Sequence, residues 1–159
     1  MTQIDEYRFR SVLSRFASGV TIVTAHSGDG ADHGMTVSAF SSLSLEPPLI
    51  LVCIGHGTEM HGILEGAKAF TVNVLAADQE DLARKFSDPD NDRFEGTSYT
   101  RGTNGLALLT GAAAWLECEL THRYEGGDHT IFVGRVEAAD AGDAPPLVYY
   151  RGGYGRLER

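Results

Sequence analysis

GMTVSAFSSLSLEPPLILVCI, residues 34–54, reads as strand, stop, strand. Residues 35–45 have strand composition, and Glu46, Pro47 and Pro48 end the run. LILVCIG, residues 49–55, is a short continuous apolar stretch, as expected of a strand buried on both faces. The first part also carries Thr36, Ser38, Ser41, Ser42 and Ser44, five hydroxyls within nine residues. Two readings stand side by side. The hydroxyls can be a solvated strand edge, or, with backbone N–H groups, they can cradle a phosphate without basic side chains. Composition does not choose between them.

Outward from this stretch the chain is a series of short strands and helices. Upstream, Phe9, Val12, Leu13 and Phe16 recur at helical spacing, which predicts a helix over residues 4–17 with one apolar face. GVTIVTAHS then reads as a strand and SGDGADHG as a turn. Downstream, Thr58 caps a helix beginning at Glu59, AFTVNVL is a strand, and Asp78 caps a second helix. Residues 87–111 form a long polar excursion, the kind of loop that carries function or short elements of its own. AAAWLECELTHRY and TIFVGRVEAAD are the arms of a hairpin, with Gly126 and Gly127 as its turn. PPLVYYRGGYGRL closes the chain with a strand and a glycine turn. Six or seven strands with two or three short helices predict a single mainly β domain over residues 1–159, an antiparallel barrel.

Composition narrows the function. The 159 residues carry 22 acids against 13 Lys and Arg, a formal charge of −9. A nucleic-acid backbone calls for the opposite sign. Any phosphate must be held by local donors against the overall field. The N-terminal residues lack an apolar signal core, and no run approaches the ~18 residues of a membrane span. A soluble, cytoplasmic protein is expected, with no nucleic-acid or membrane partner. Cys53 and Cys118 read as buried thiols. The six histidines show no ligand spacing, so no metal is expected. DPDND, residues 88–92, begins like a calcium loop, but Arg93 and Tyr99 occupy the positions that need Gly and Glu. No dinucleotide-binding glycine fingerprint or P-loop is present.

His129 is not needed by a hairpin turn. Taken alone, a histidine in a hairpin loop is usually a solvated residue and not a ligand contact. The order of pieces around it is more specific. FASGVTIVTA, GMTVSAFSSLSLEPPLILVCI, FTVNVLAADQEDLARKF, GDHTIFVGRV and PLVYYRGGY, spanning about residues 9–154, resemble the flavin reductase family with the FMN-binding split-barrel fold. These are short reductases that feed two-component flavin-dependent monooxygenases.

The resemblance implies an NAD(P)H:flavin oxidoreductase that binds FMN or FAD, takes hydride from NADH or NADPH, and works as a homodimer beside a separate monooxygenase. It implies flavin contacts at Thr36, Val37, Ser38 and Ala39, with Ser41 and Ser42 toward the phosphate, and at Cys53, Ile54, Gly55 and Thr58. It assigns Gly127, Asp128, His129 and Tyr154 to the pyridine nucleotide, with His129 as the catalytic candidate. One departure stands out: relatives commonly place basic residues where this chain has His56 and Glu59. The rival expectation is a non-catalytic flavin-binding or sensing protein on the same fold.

Overall fold

The fold follows from one sheet that curls until its two edge strands meet without pairing. The computed structural model describes residues 3–159. In chain order the elements are α1 (Glu6–Leu13), β1 (Ser18–Gly19), β2 (Thr21–His26), β3 (Asp32–Val37), β4 (Phe40–Ser44), β5 (Leu49–Gly55), α2 (Glu59–Gly66) and β6 (Ala69–Val74). They continue as α3 (Glu80–Lys85), β7 (Tyr99–Arg101), β8 (Ala107–Leu109), β9 (Ala114–Gly126), β10 (His129–Ala141), β11 (Leu147–Tyr150) and β12 (Gly153–Arg156). Seven strands form the main sheet in the order β3-β2-β6-β9-β10-β5-β4. Its edges, β3 and β4, are joined in sequence by Ser38 and Ala39 alone, yet no ladder links them. The barrel is split at that seam.

Two residues show why the sheet curls. The β9–β10 ladder shifts register between Val133 and Gly134, where a bulge bends the long hairpin. At Gly134 a Cβ would lie 2.7 Å from both Cys118 Cβ and Phe70 Cζ, so only glycine allows this approach. Inside the curl, Val23, Ile50, Val52, Ile54, Leu64, Phe70, Val72 and Phe132 form the main core. A second cluster, with Val20, Ile22, Leu75, Phe86 and Leu147, packs outside β2 and is covered by α3 and the β11–β12 hairpin.

Several local expectations change. The first helix runs only Glu6–Leu13, capped by Asp5 accepting from Arg8 N–H, and buries no residue. β5 alternates strictly, with Ile50, Val52 and Ile54 inward and the others half-buried, so it is covered fully on one face only. Gln79, not Asp78, stands at the N-cap of α3; its side chain bonds Ala76 N–H and the Thr110 carbonyl instead of capping. Residues 87–111 contain the small β7–β8 sheet, pinned to the core by Glu117, which accepts from Thr103 and the Asn104 N–H.

Candidate functional site

The seam between β3 and β4 is the floor of a cleft. Thr36 is locked at one end: its hydroxyl donates to the Ala83 carbonyl at 2.7 Å and its N–H to the Phe86 carbonyl. Val37 turns its side chain into the core and its carbonyl accepts from Thr21 at 2.6 Å. Ser38 and Ala39 are exposed. Val20, Thr36, Ser38, Ser87, Tyr149 and Tyr154 surround a hollow of about 180 Å³. Ser38 and Tyr149 also border a larger cleft of about 580 Å³, whose wall includes Arg10, Leu13, Phe16 and Ala39. Tyr154 is tilted against Tyr149, with centroids 5.4 Å apart, and the Arg84 guanidinium lies 5.1 Å over its ring.

β4 and β5 carry the cleft toward a hairpin. The Cys53 N–H donates to the Ala39 carbonyl at 3.0 Å. Two residues on, Gly55 pairs with His129 across the β5–β10 ladder. At strand spacings, Ala39 and His129 are therefore on the order of 15 Å apart along one continuous surface. Ile54 points into the core. Thr58 is the N-cap of α2, accepting from His61 N–H and donating to the Gly55 carbonyl at 2.8 Å.

The hairpin turn sits one residue later than the sequence suggests. Gly126 ends β9, and Gly127 and Asp128 are the two turn residues, with Gly127 at φ +65° as a first-position glycine requires. His129 opens β10. Its Nδ1 lies 2.7 Å from Asp128 Oδ1, and its Nε2 would be 3.6 Å from a Cβ at Gly55, so glycine leaves room beside the ring. That contact holds the Asp128 carboxyl below the usual carboxylate range. Behind the turn, the His56 N–H donates to the Asp128 carbonyl and His56 Nε2 lies 2.8 Å from Glu125 Oε2.

The structure thus joins Thr36, Ser38, Ala39 and Tyr154 at the cleft, and Gly55, Asp128 and His129 at the hairpin, with Cys53 between. Tyr154 belongs with the cleft residues. Ser41 and Ser42 are exposed on edge strand β4, outside the cleft lining, and the Ser41 hydroxyl donates to the Ser42 carbonyl. Glu59 is engaged by His33, with 2.9 Å between Nδ1 and Oε1, on a separate hollow. Sequence reasoning missed Arg10, the cation on the wall of the large cleft, and Tyr149. Arg10 carried a usable signal, since it shares a helix face with Leu13 and Ser14 at i, i+3 and i+4.

The donor set suits a large aromatic ligand bearing phosphate: an aromatic pair, a hydroxyl, free backbone N–H groups at Ser38 and Ala39, and one arginine. Comparison with known proteins points the same way. The flavin reductase like domain family matches residues 13–158. The reductase component of 4-nitrophenol 4-monooxygenase/4-nitrocatechol 2-monooxygenase from Rhodococcus opacus is 43% identical over 97% of this chain and 82% of its own length. The reductase component of 4-hydroxyphenylacetate 3-monooxygenase from Thermus thermophilus is 44% identical over 94% of this chain and 95% of its own. Among solved structures, the NADH:FAD oxidoreductase of Streptomyces globisporus, in complex with NAD and FAD fragments, superimposes with a TM-score of 0.92 at 37% identity, covering 99% of this chain and 98% of that one.

Proposed function

The chain belongs to the flavin reductase like domain family and is a flavin reductase, and from that premise we propose how its residues divide the work. FMN or FAD occupies the cleft along Thr36, Ser38 and Ala39, with Tyr149 and Tyr154 at one end. NADH or NADPH approaches from the turn at Gly127, Asp128 and His129. Bound together, nicotinamide and flavin supply the hydride chemistry themselves. The protein's part is to bring the two rings to reacting distance, about 3–3.5 Å, and to hold them there.

Each residue has a task within that part. Thr36, tied to α3, fixes the height of the floor. Ser38 and Ala39 offer unpaired backbone N–H donors toward the ring edge, their carbonyls being taken by the N–H groups of Phe40 and Cys53. Arg10, which pairs with Glu6 at 2.8 Å on the exposed side of α1, turns its charge to the phosphate in place of the basic residues absent at His56 and Glu59. Ser41 and Ser42 reach phosphate only along the outer face of β4. The Asp128 carboxylate orients the His129 ring, leaving Nε2 over Gly55 for the incoming dinucleotide.

The observation that carries this reading is the continuous surface from Ala39 through Cys53 and Gly55 to His129. Reduced flavin then passes to a separate monooxygenase, as the names of the relatives suggest. We place the protein in the cytoplasm; among the described residues no helix is long and apolar enough to cross a membrane. It acts as a homodimer. Phe9, Val12, Leu13 and Phe16 stand exposed on and beside α1, an apolar face of the kind that marks association.

NADH oxidation with added FMN or FAD tests the activity in one cuvette. Turnover that depends on flavin is expected. Binding without turnover would favour the sensing alternative. Sedimentation at micromolar concentration is expected to give a dimer, and a monomer would contradict that assignment.

A further inference from the structure

We propose that Glu125 is a positioning residue for the nicotinamide end of the site, fixing the hairpin turn against residues 55–58 through hydrogen bonds that converge on its carboxylate from two sides. The proposal rests on the assignment of that turn to the nicotinamide. Glu125 sits on β9 directly opposite Thr130 on β10. Its Oε1 accepts from the Thr130 hydroxyl at 2.9 Å, and its Oε2 faces His56 Nε2 at 2.8 Å. Thr130 is fully buried, and its Oγ1 also meets His61 Nε2 at 2.8 Å. The two imidazoles pack edge-on, with centroids 4.9 Å apart.

Proton counting sets the direction. A carboxylate only accepts. The single hydroxyl proton of Thr130 goes to Glu125, so His61 must donate to Thr130 from Nε2–H. His56 must likewise donate from Nε2–H to Glu125. The Glu125 carboxyl is held below its usual range by the Thr130 hydroxyl first and His56 second, so it is ionised at neutral pH. Glu65 Oε1, 3.3 Å from His61 Nε2, favours the same tautomer. One carboxylate thereby dictates the tautomer of two histidines on the α2 side and ties them to the strand that opens with His129. The loop carrying His56 is joined to the turn again by its N–H on the Asp128 carbonyl at 2.9 Å.

The test combines imidazole 15N NMR of the cofactor-free protein with steady-state kinetics on wild type, Glu125→Ala, Glu125→Gln, His129→Ala and the Glu125→Ala, Glu65→Ala pair. Wild type is expected to show Nε2–H tautomers at both His56 and His61. In Glu125→Ala combined with Glu65→Ala, which removes the second carboxylate from His61 Nε2, the Thr130 proton is released toward His61, which changes to Nδ1–H. In Glu125→Gln the amide oxygen still accepts from Thr130, so His61 keeps its tautomer and His56 alone changes. KM for NADH should rise about tenfold in Glu125→Ala, the scale of one charge-assisted hydrogen bond, with flavin affinity and Tm near wild type. Glu125→Gln should restore most of it. An unchanged His61 tautomer in the Glu125→Ala, Glu65→Ala pair, or an unchanged His56 tautomer in Glu125→Gln, overturns the proposal. So does an unchanged KM in Glu125→Ala when His129→Ala raises it, or a parallel loss of flavin affinity and Tm. A wild-type KM in His129→Ala would instead remove the nicotinamide assignment beneath it.

Discussion

The two ends of the β9–β10 hairpin are held by different forces. At the root, Gly134 lies against Cys118 and Phe70 with no space for a methyl group. At the tip, residues 122–129 are exposed, and order comes from directional bonds among Glu125, Thr130, His56, His61, Asp128 and His129. Packing tolerates little change in volume. A polar network at the surface contributes little to stability yet sets the angle of a ligand contact. Root substitutions should therefore read out as stability, and tip substitutions as kinetics.

The largest expected effect is at the root and depends on pH. Burial raises the Cys118 thiol to about 12. The unfolded thiol ionises near its ordinary value of ~8.5. The folded state therefore keeps a proton that the unfolded state loses, and this contribution to stability is complete below about pH 8.5 and lost as pH climbs toward 12. The loss reaches about 5 kcal/mol at the top of that window, an upper bound set by the size of the shift. Chemical denaturation from pH 8 to 11 should show a steeper decline for wild type than for Cys118→Val. Equal slopes would place the thiol in contact with water.

Gly134→Ala comes next. The added methyl must displace Phe70 or Cys118, at a cost of about 1–3 kcal/mol. The check is the urea midpoint, with kinetics of the folded fraction unchanged. A silent substitution would show that the hairpin root can slide and would erase the contrast between the two ends.

How much of this the residues announced differs by region. The strands of the core were readable because apolar and β-branched runs between turn residues leave few other structures open. The β7–β8 pair was not, because Tyr99–Arg101 and Ala107–Leu109 are three residues each and show no period. β5 looked buried on both faces because Leu49, Leu51 and Cys53 are apolar; in the single chain that outer face is only half covered. The turn was displaced by one residue because Gly126 and Gly127 are chemically alike, and only the strand pairing of Gly126 with His129 separates them. Thr36, Ser38 and His129 were singled out through the ordered motifs, and the structure places the first two on the cleft lining and the third at the hairpin turn. The Glu125 network was not, since its members are up to 69 positions apart and share no spacing.

The smallest expected effect on stability is His129→Ala at the tip. Its ring makes one side-chain hydrogen bond, to the exposed Asp128, so Tm should move by no more than about 2 °C. The same variant gives the most direct test of the central claim that the cleft holds flavin and the hairpin receives the nicotinamide. Anaerobic stopped-flow reduction of flavin, at rising NADH, should show flavin affinity equal to wild type. The apparent Kd for NADH should be raised or the limiting rate lowered. Wild-type rates at limiting NADH, or a loss confined to flavin affinity, would contradict that division of the site.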